Sequence, residues 1–148
     1  MDISLPLAAL TDHQNRALDV LARSCACVAE GPDAVEARSA TLRAEMATVL
    51  GDYQVFKHER IFNPALTHAD PGLAGLAREM KVECIAAGET FRAHLQGWRV
   101  EDIRGAWTNY QAAARLTINQ LRRHIDREAE GITVLLTALE VTSSRTEP

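Results

Sequence analysis

LAGLAREMKVECIAAGETFRAHLQGW, residues 73–98, decides the fold class of this chain. Apolar residues recur at spacings of three or four from one end of the stretch to the other: Leu73, Leu76, Met80, Cys84, Ala87, Phe91, Leu95 and Trp98. This spacing places them on one face of an α-helix, whereas a half-buried strand would alternate apolar and polar residues. The stretch therefore predicts a long helix with one broad apolar face that other elements must cover.

The same helical period runs through the rest of the chain and is interrupted by three loop signals. These lie at residues 31–33 and 63–72, where glycine, proline, asparagine and aspartate collect, and at residues 97–101, which begin with Gly97. No segment shows the alternation of a strand. Four helices joined by short loops favour antiparallel neighbours, so we expect an all-α, up-down-up-down four-helix bundle. Residues 1–140 would form this single domain, and residues 141–148 would form a flexible C-terminal tail.

Composition narrows the range of functions. The formal net charge is −4, which argues against a nucleic-acid surface because phosphate binding needs a basic field. The longest apolar run, residues 132–139, is too short to cross a bilayer, so no membrane partner is expected. The three cysteines have no disulfide or zinc spacing and are interpreted as reduced thiols. A soluble, cytoplasmic protein is the expectation.

Polar residues interrupt the predicted core faces of two helices. In the first helix, His13 follows Leu10 by three residues and therefore shares its face. In the fourth, His124 follows Leu121 by three, and Glu128 lies four residues beyond His124. Buried polar groups are costly unless they are paired. These residues therefore predict either a metal site or a hydrogen-bond network inside the bundle, and the pattern leaves both open.

The second helix adds a further histidine to this layer. His58 lies four residues before Phe62, at the inner edge of an apolar stripe. In an up-down bundle, the start of the first helix lies beside the ends of the second and fourth, so all of these polar residues can reach one level. On the third helix, Met80 and Cys84 occupy that level. His68 lies in the adjoining loop and is a candidate accessory ligand.

Three stretches together resemble the hemerythrin-like, HHE-type cation-binding domain. TDHQNRALDVLA (residues 11–22) resembles the opening helix with its single histidine, and FKHERIFNPAL (56–66) resembles the end of the second helix. HIDREAEGITVLL (124–136) resembles the last helix with its His-x-x-x-Glu pair. The resemblance spans nearly the whole chain. It implies a four-helix bundle that holds two carboxylate-bridged iron ions.

The ligand set that this resemblance implies is incomplete. His13, His124 and Glu128 match ligand positions of the family. His58 stands where the family has its bridging glutamate, and the acidic residue beside it is Glu59. Histidines of the family are replaced at three further positions, which carry Gln54, Met80 and Cys84.

These departures predict a reduced, mononuclear site with His13, His58, His124 and Glu128 as ligands. The accessory candidates are Gln54, Glu59, Met80 and Cys84. Iron is the metal that the resemblance implies, and zinc or manganese also suits these ligand types.

Two classes of function follow. The first is a metal- or redox-linked regulatory domain that responds to O2 or NO, rather than an O2 carrier, which would need two irons. The second is a metal-free bundle that has lost the di-iron site and binds a protein partner or a second copy of itself. An enzyme is the weaker alternative, because the chain shows no nucleophile–base pair and no phosphate-binding loop.

Overall fold

The computed structural model describes residues 4–146, and the side chains of residues 6–141. These residues are helical almost throughout and contain no strand, which confirms the prediction of an all-α four-helix bundle. The four long helices are α1 (Ser4–Glu30), α2 (Pro32–Lys57), α4 (Pro71–Gly97) and α6 (Trp107–Thr146). Two short helices, α3 (Asn63–Leu66) and α5 (Val100–Ile103), lie in the connections.

The first connection is a single residue. Gly31 has φ of 113°, a conformation that residues with a side chain rarely adopt, and it reverses the chain between α1 and α2. Pro32 then opens α2, where its missing N–H is not needed. As a result, α2 packs back along α1, while α6 contacts both α1 and α4.

The second connection differs from the prediction, because the helix does not stop at Asn63-Pro64. A π-helical turn, His58–Phe62, follows α2 and leads into α3. The N–H of Asn63 bonds to the carbonyl of His58, five residues earlier. A proline ring clashes with the carbonyl four residues before it in a regular helix, and the wider turn just before Pro64 changes that geometry. The chain reverses only at residues 67–70, where Asp70 caps α4 by accepting from the N–H of Gly72 at 2.8 Å.

The third connection lies where it was predicted. The chain leaves α4 at Gly97 and passes through α5 and a 3-10 turn, Arg104–Ala106, before α6 begins. Helix α6 then runs to Thr146. The last two residues lie outside the described part of the chain, and a flexible tail stays a prediction.

Two apolar clusters stabilise the bundle. The larger runs along all four long helices, and its most deeply buried large side chains include Tyr53, Phe62 and Leu21. A smaller cluster at the end of the bundle near Gly31 contains Val35, Ile103 and Tyr110, with Trp98 and Trp107 against it. A polar layer formed by Lys57, His124 and Glu128 interrupts the larger cluster near the opposite end of the bundle. Within residues 4–146, no helix is long and apolar enough to cross a membrane.

Candidate functional site

The centre of the polar layer is an ion pair between α2 and α6. Nζ of Lys57 donates to Oε1 of Glu128 at 2.8 Å, and the two residues are only 4% and 5% exposed. Lys57 is the last residue of α2, next to the π turn. Its buried side chain reaches across the core to Glu128 on α6. A buried lysine is rare unless it is paired, because taking an ammonium out of water is expensive.

His124 extends this pair along α6. Its Nε2 lies 3.1 Å from Oε2 of Glu128, within ion-pair distance but without the alignment of a hydrogen bond. The neighbouring Cys84 and Glu128 side chains raise the pKa of His124 to about 9. Burial by itself would raise the pKa of Glu128, but His124 and Lys57 outweigh it and hold that pKa below its usual value. The layer is therefore built from one carboxylate between two cations.

Tyr53 closes the layer from the side of α2. Nζ of Lys57 lies 4.1 Å from the centre of the Tyr53 ring, a cation–π contact. The Tyr53 hydroxyl accepts from Nε2 of Gln14 on α1 at 3.3 Å. Burial, followed by the nearby Glu128 carboxylate, raises the pKa of Tyr53 well above its usual value, so the phenol stays protonated.

The other two predicted histidine ligands face aromatic rings. His13 lies with its ring centre 4.8 Å from that of Phe56 and 6.0 Å from that of Tyr53. His58 meets Phe62 edge-on at 5.3 Å, and its buried Nε2 has no hydrogen-bond partner. Burial and the positive charges of Lys81 and Lys57 lower the pKa of His58, so this imidazole is neutral.

The predicted accessory residues are spread around this layer. Met80 and Cys84 are buried beside it, whereas Glu59 is exposed and points away from the core. Gln54 lies one turn before His58 and faces α4. In the loop, Nδ1 of His68 accepts from the N–H of Asp70 at 3.0 Å.

The binding of a metal ion by the predicted residues stays a prediction. Among residues 6–141, no three His, Cys, Asp or Glu side chains converge in a geometry that could hold an ion. His124 and Glu128 lie together as predicted, and the ammonium of Lys57 bonds to the other oxygen of the same carboxylate, Oε1. A divalent ion would be repelled by this neighbouring positive charge.

Lys57 and Tyr53 are the residues that sequence reasoning missed. The signal was available, because Val49, Tyr53 and Lys57 recur at intervals of four on the core stripe of α2. A lysine on such a stripe indicates a buried partner. Histidine and carboxylate side chains are metal ligands and lysine is not, so the predicted site did not include Lys57.

A cleft between α2 and α4 adjoins the polar layer. It has a volume of about 180 Å³, and α6 forms its floor. Its walls are mainly apolar, and the polar side chains that line it are Tyr53, Gln54, Lys57, Arg92 and His124. No aspartate or glutamate lines this cleft.

Comparison with known proteins does not assign a family. No family model matches the chain, and no curated protein or solved structure matches it. The hemerythrin-like resemblance rests on the three short motifs, and membership of that family stays a prediction.

Proposed function

We propose that this chain is a cytoplasmic regulatory helical bundle that works without a metal ion and acts through binding rather than catalysis. One observation carries the proposal. The buried ammonium of Lys57 donates to Glu128, and so supplies the positive charge that a metal ion would otherwise bring to this layer.

The electrostatics of the layer support this proposal. An ion pair inside a protein offsets its desolvation only when its geometry is good and further partners are present. Lys57 has both, because it bonds to Glu128 at 2.8 Å and lies over the Tyr53 ring. Adding a dication would place it beside this ammonium.

A structural advantage of the layer is specificity. A charge on α2 that must meet a carboxylate on α6 penalises any sliding of one helix against the other, because a shift would leave both charges buried and unpaired. Such a layer would keep one arrangement of the bundle and hold the neighbouring cleft in a constant shape.

A reduced metal site that responds to O2 or NO is the second candidate, and one observation favours it. Three buried polar atoms close to this layer lack a hydrogen-bond partner: Nε2 of His58, Nε2 of His124 and Oε2 of Glu128. Buried polar atoms normally have a partner, and an ion could be one. In that case the ion would have to bind on the Oε2 side of the carboxylate, because Lys57 holds Oε1.

Metal content distinguishes the two candidates. Protein purified without a metal-chelate tag would be assayed by elemental analysis, both as isolated and after anaerobic incubation with Fe²⁺ or Zn²⁺. We expect less than a stoichiometric amount of any metal, and no change in melting temperature on adding a chelator. One metal ion per chain that is lost in His124→Ala would overturn the proposal and establish the second candidate.

A further inference from the structure

The cleft between α2 and α4 contains a place where two hydrogen-bond donors converge. It is centred on Gly88 of α4, which carries no side chain. A Cβ at this position would lie 3.4 Å from Nε2 of Gln54 on α2 and 3.5 Å from Nη1 of Arg92 on α4. The amide of Gln54 and the guanidinium of Arg92 therefore both lie against α4 at Gly88, on one wall of the cleft.

The charged side chains that line the cleft are cationic. Arg92 is exposed and forms no ion pair with any residue in the described part of the chain. Lys57 lines the same cleft further in, where it is paired with Glu128, and the lining itself contains no carboxylate. A guanidinium presents parallel N–H donors that match the two oxygens of a carboxylate. The wall of the cleft formed by Arg92 and Gln54 is therefore complementary to a carboxylate group.

The remainder of the cleft fixes the size and polarity of the ligand. Its apolar walls include Met46, Leu50, Phe91, Leu95 and Leu121. A cavity of roughly 150 Å³ with such a lining binds benzene, so the 180 Å³ available here suits one ring and not two.

We propose that this cleft binds a small aromatic monocarboxylate, with its carboxylate held by Arg92 and Gln54 over Gly88 and its single ring among the apolar side chains of α2, α4 and α6. This inference deepens the proposed function, on which it rests, by naming the class of ligand that the metal-free bundle recognises. The ligand would contact both α2 and α4. Its binding would therefore affect the distance between these two helices.

The test is isothermal titration of the full chain with benzoate, and with benzamide as a neutral molecule of the same shape. We expect saturable binding of one benzoate per chain and at least about tenfold weaker binding of benzamide, because the charge-assisted bonds to Arg92 are lost. Equal affinity for the two compounds, or no saturable binding of benzoate, would overturn the proposal.

Matched variants locate the site. Arg92→Gln should weaken benzoate binding about tenfold or more, whereas Arg78→Gln, an exposed arginine on the same helix, should not change it. Gly88→Leu should abolish binding by displacing Gln54 and Arg92 and entering the cleft, and Gly75→Leu, a glycine of α4 with no atom near its missing Cβ, should bind as wild type. Wild-type affinity in both Arg92→Gln and Gly88→Leu would overturn the assignment.

Elemental analysis of the same samples separates this inference from the proposed function. Metal-free protein that does not bind benzoate would contradict the cleft proposal but agree with the proposed metal-independent function. Protein with one tightly held metal ion that still binds benzoate through Arg92 would contradict the proposed function and support the cleft as a site of its own.

Discussion

Nζ of Lys57 and Oε1 of Glu128 lie 2.8 Å apart inside the bundle, 71 residues apart in sequence. The pair joins the last residue of α2 to the middle of α6, at the level where the π turn begins. As a result, the buried negative charge of Glu128 is neutralised by neighbouring side chains of the same layer. The behaviour of that layer can be tested by unfolding measurements.

Removal of the lysine should destabilise the protein strongly. Lys57→Met leaves the Glu128 carboxylate buried with His124 as its remaining partner, and breaking a buried pair costs about 3–5 kcal/mol. Urea unfolding measures the change. The double variant Lys57→Met/Glu128→Gln removes both charges and should recover part of this loss.

An exposed pair on α1 provides the control for that experiment. Arg16 and Asp12 lie 3.7 Å apart with side chains that are 49% and 67% exposed, and Arg16→Met should leave the free energy of unfolding nearly unchanged. A Lys57→Met variant as stable as Arg16→Met would contradict the buried-pair assignment.

The stability of the protein should fall as pH rises above neutrality. The pKa of His124 is raised from 6.5 to about 9 in the folded chain, so its proton stabilises the native state. This contribution is fully present below pH 6.5 and is lost as pH rises through about 9, which corresponds to roughly 3 kcal/mol at 1.36 kcal/mol per pKa unit.

Urea unfolding across that pH range tests the prediction. His124→Gln should remove most of the slope, while His68→Gln in the loop should retain it. A wild-type slope that survives in His124→Gln would assign the titration to another group.

His58 should be replaceable with a gain in stability. Its Nε2 is buried without a partner, and burial with two nearby lysines disfavours its charged form. His58→Leu removes this unsatisfied group and should stabilise the protein by roughly 1 kcal/mol. Because the folded pKa is lowered, the wild-type histidine is more unfavourable at acid pH, and the gain should grow as pH falls below 6.5. A loss of stability together with a loss of bound metal would instead identify His58 as a ligand.

The hydrogen bond between Gln14 and Tyr53 should contribute little by itself. At 3.3 Å it is long, so Tyr53→Phe should cost no more than about 1 kcal/mol. The Phe ring would keep the cation–π contact with Lys57. A double-mutant cycle with Gln14→Ala isolates the bond, and Tyr53→Leu, which also loses the aromatic face, should be clearly less stable than Tyr53→Phe.

Two glycines of the long helices should respond differently to the same substitution. Gly75→Ala meets no neighbour and should stabilise α4 by about 0.5–1 kcal/mol. A Cβ at Gly131 would lie 2.8 Å from Sδ of the buried Met80, so Met80 must move and Gly131→Ala should gain less or lose stability. Thermal unfolding compares the two, and an equal gain at both positions would show that Met80 has room to adjust.

The helical elements follow from the sequence by itself because they depend on local information. The apolar period of residues 73–98 requires one helical face, and Gly31-Pro32 ends one helix and begins the next within two residues. The proximity of His124 and Glu128 could be predicted for the same reason, since residues four apart on one helix are neighbours. The π turn before Pro64 could not, because the period of a regular helix does not reveal it.

Contacts between helices were decided only by the tertiary structure. The sequence puts Lys57 on a core stripe but does not name Glu128 as its partner, and it does not show that Gln54 and Arg92 meet over Gly88. The physical reason is that such contacts depend on the rotation and offset of each helix against its neighbours. Those quantities are set by the packing of the whole core, to which nearly every apolar residue contributes.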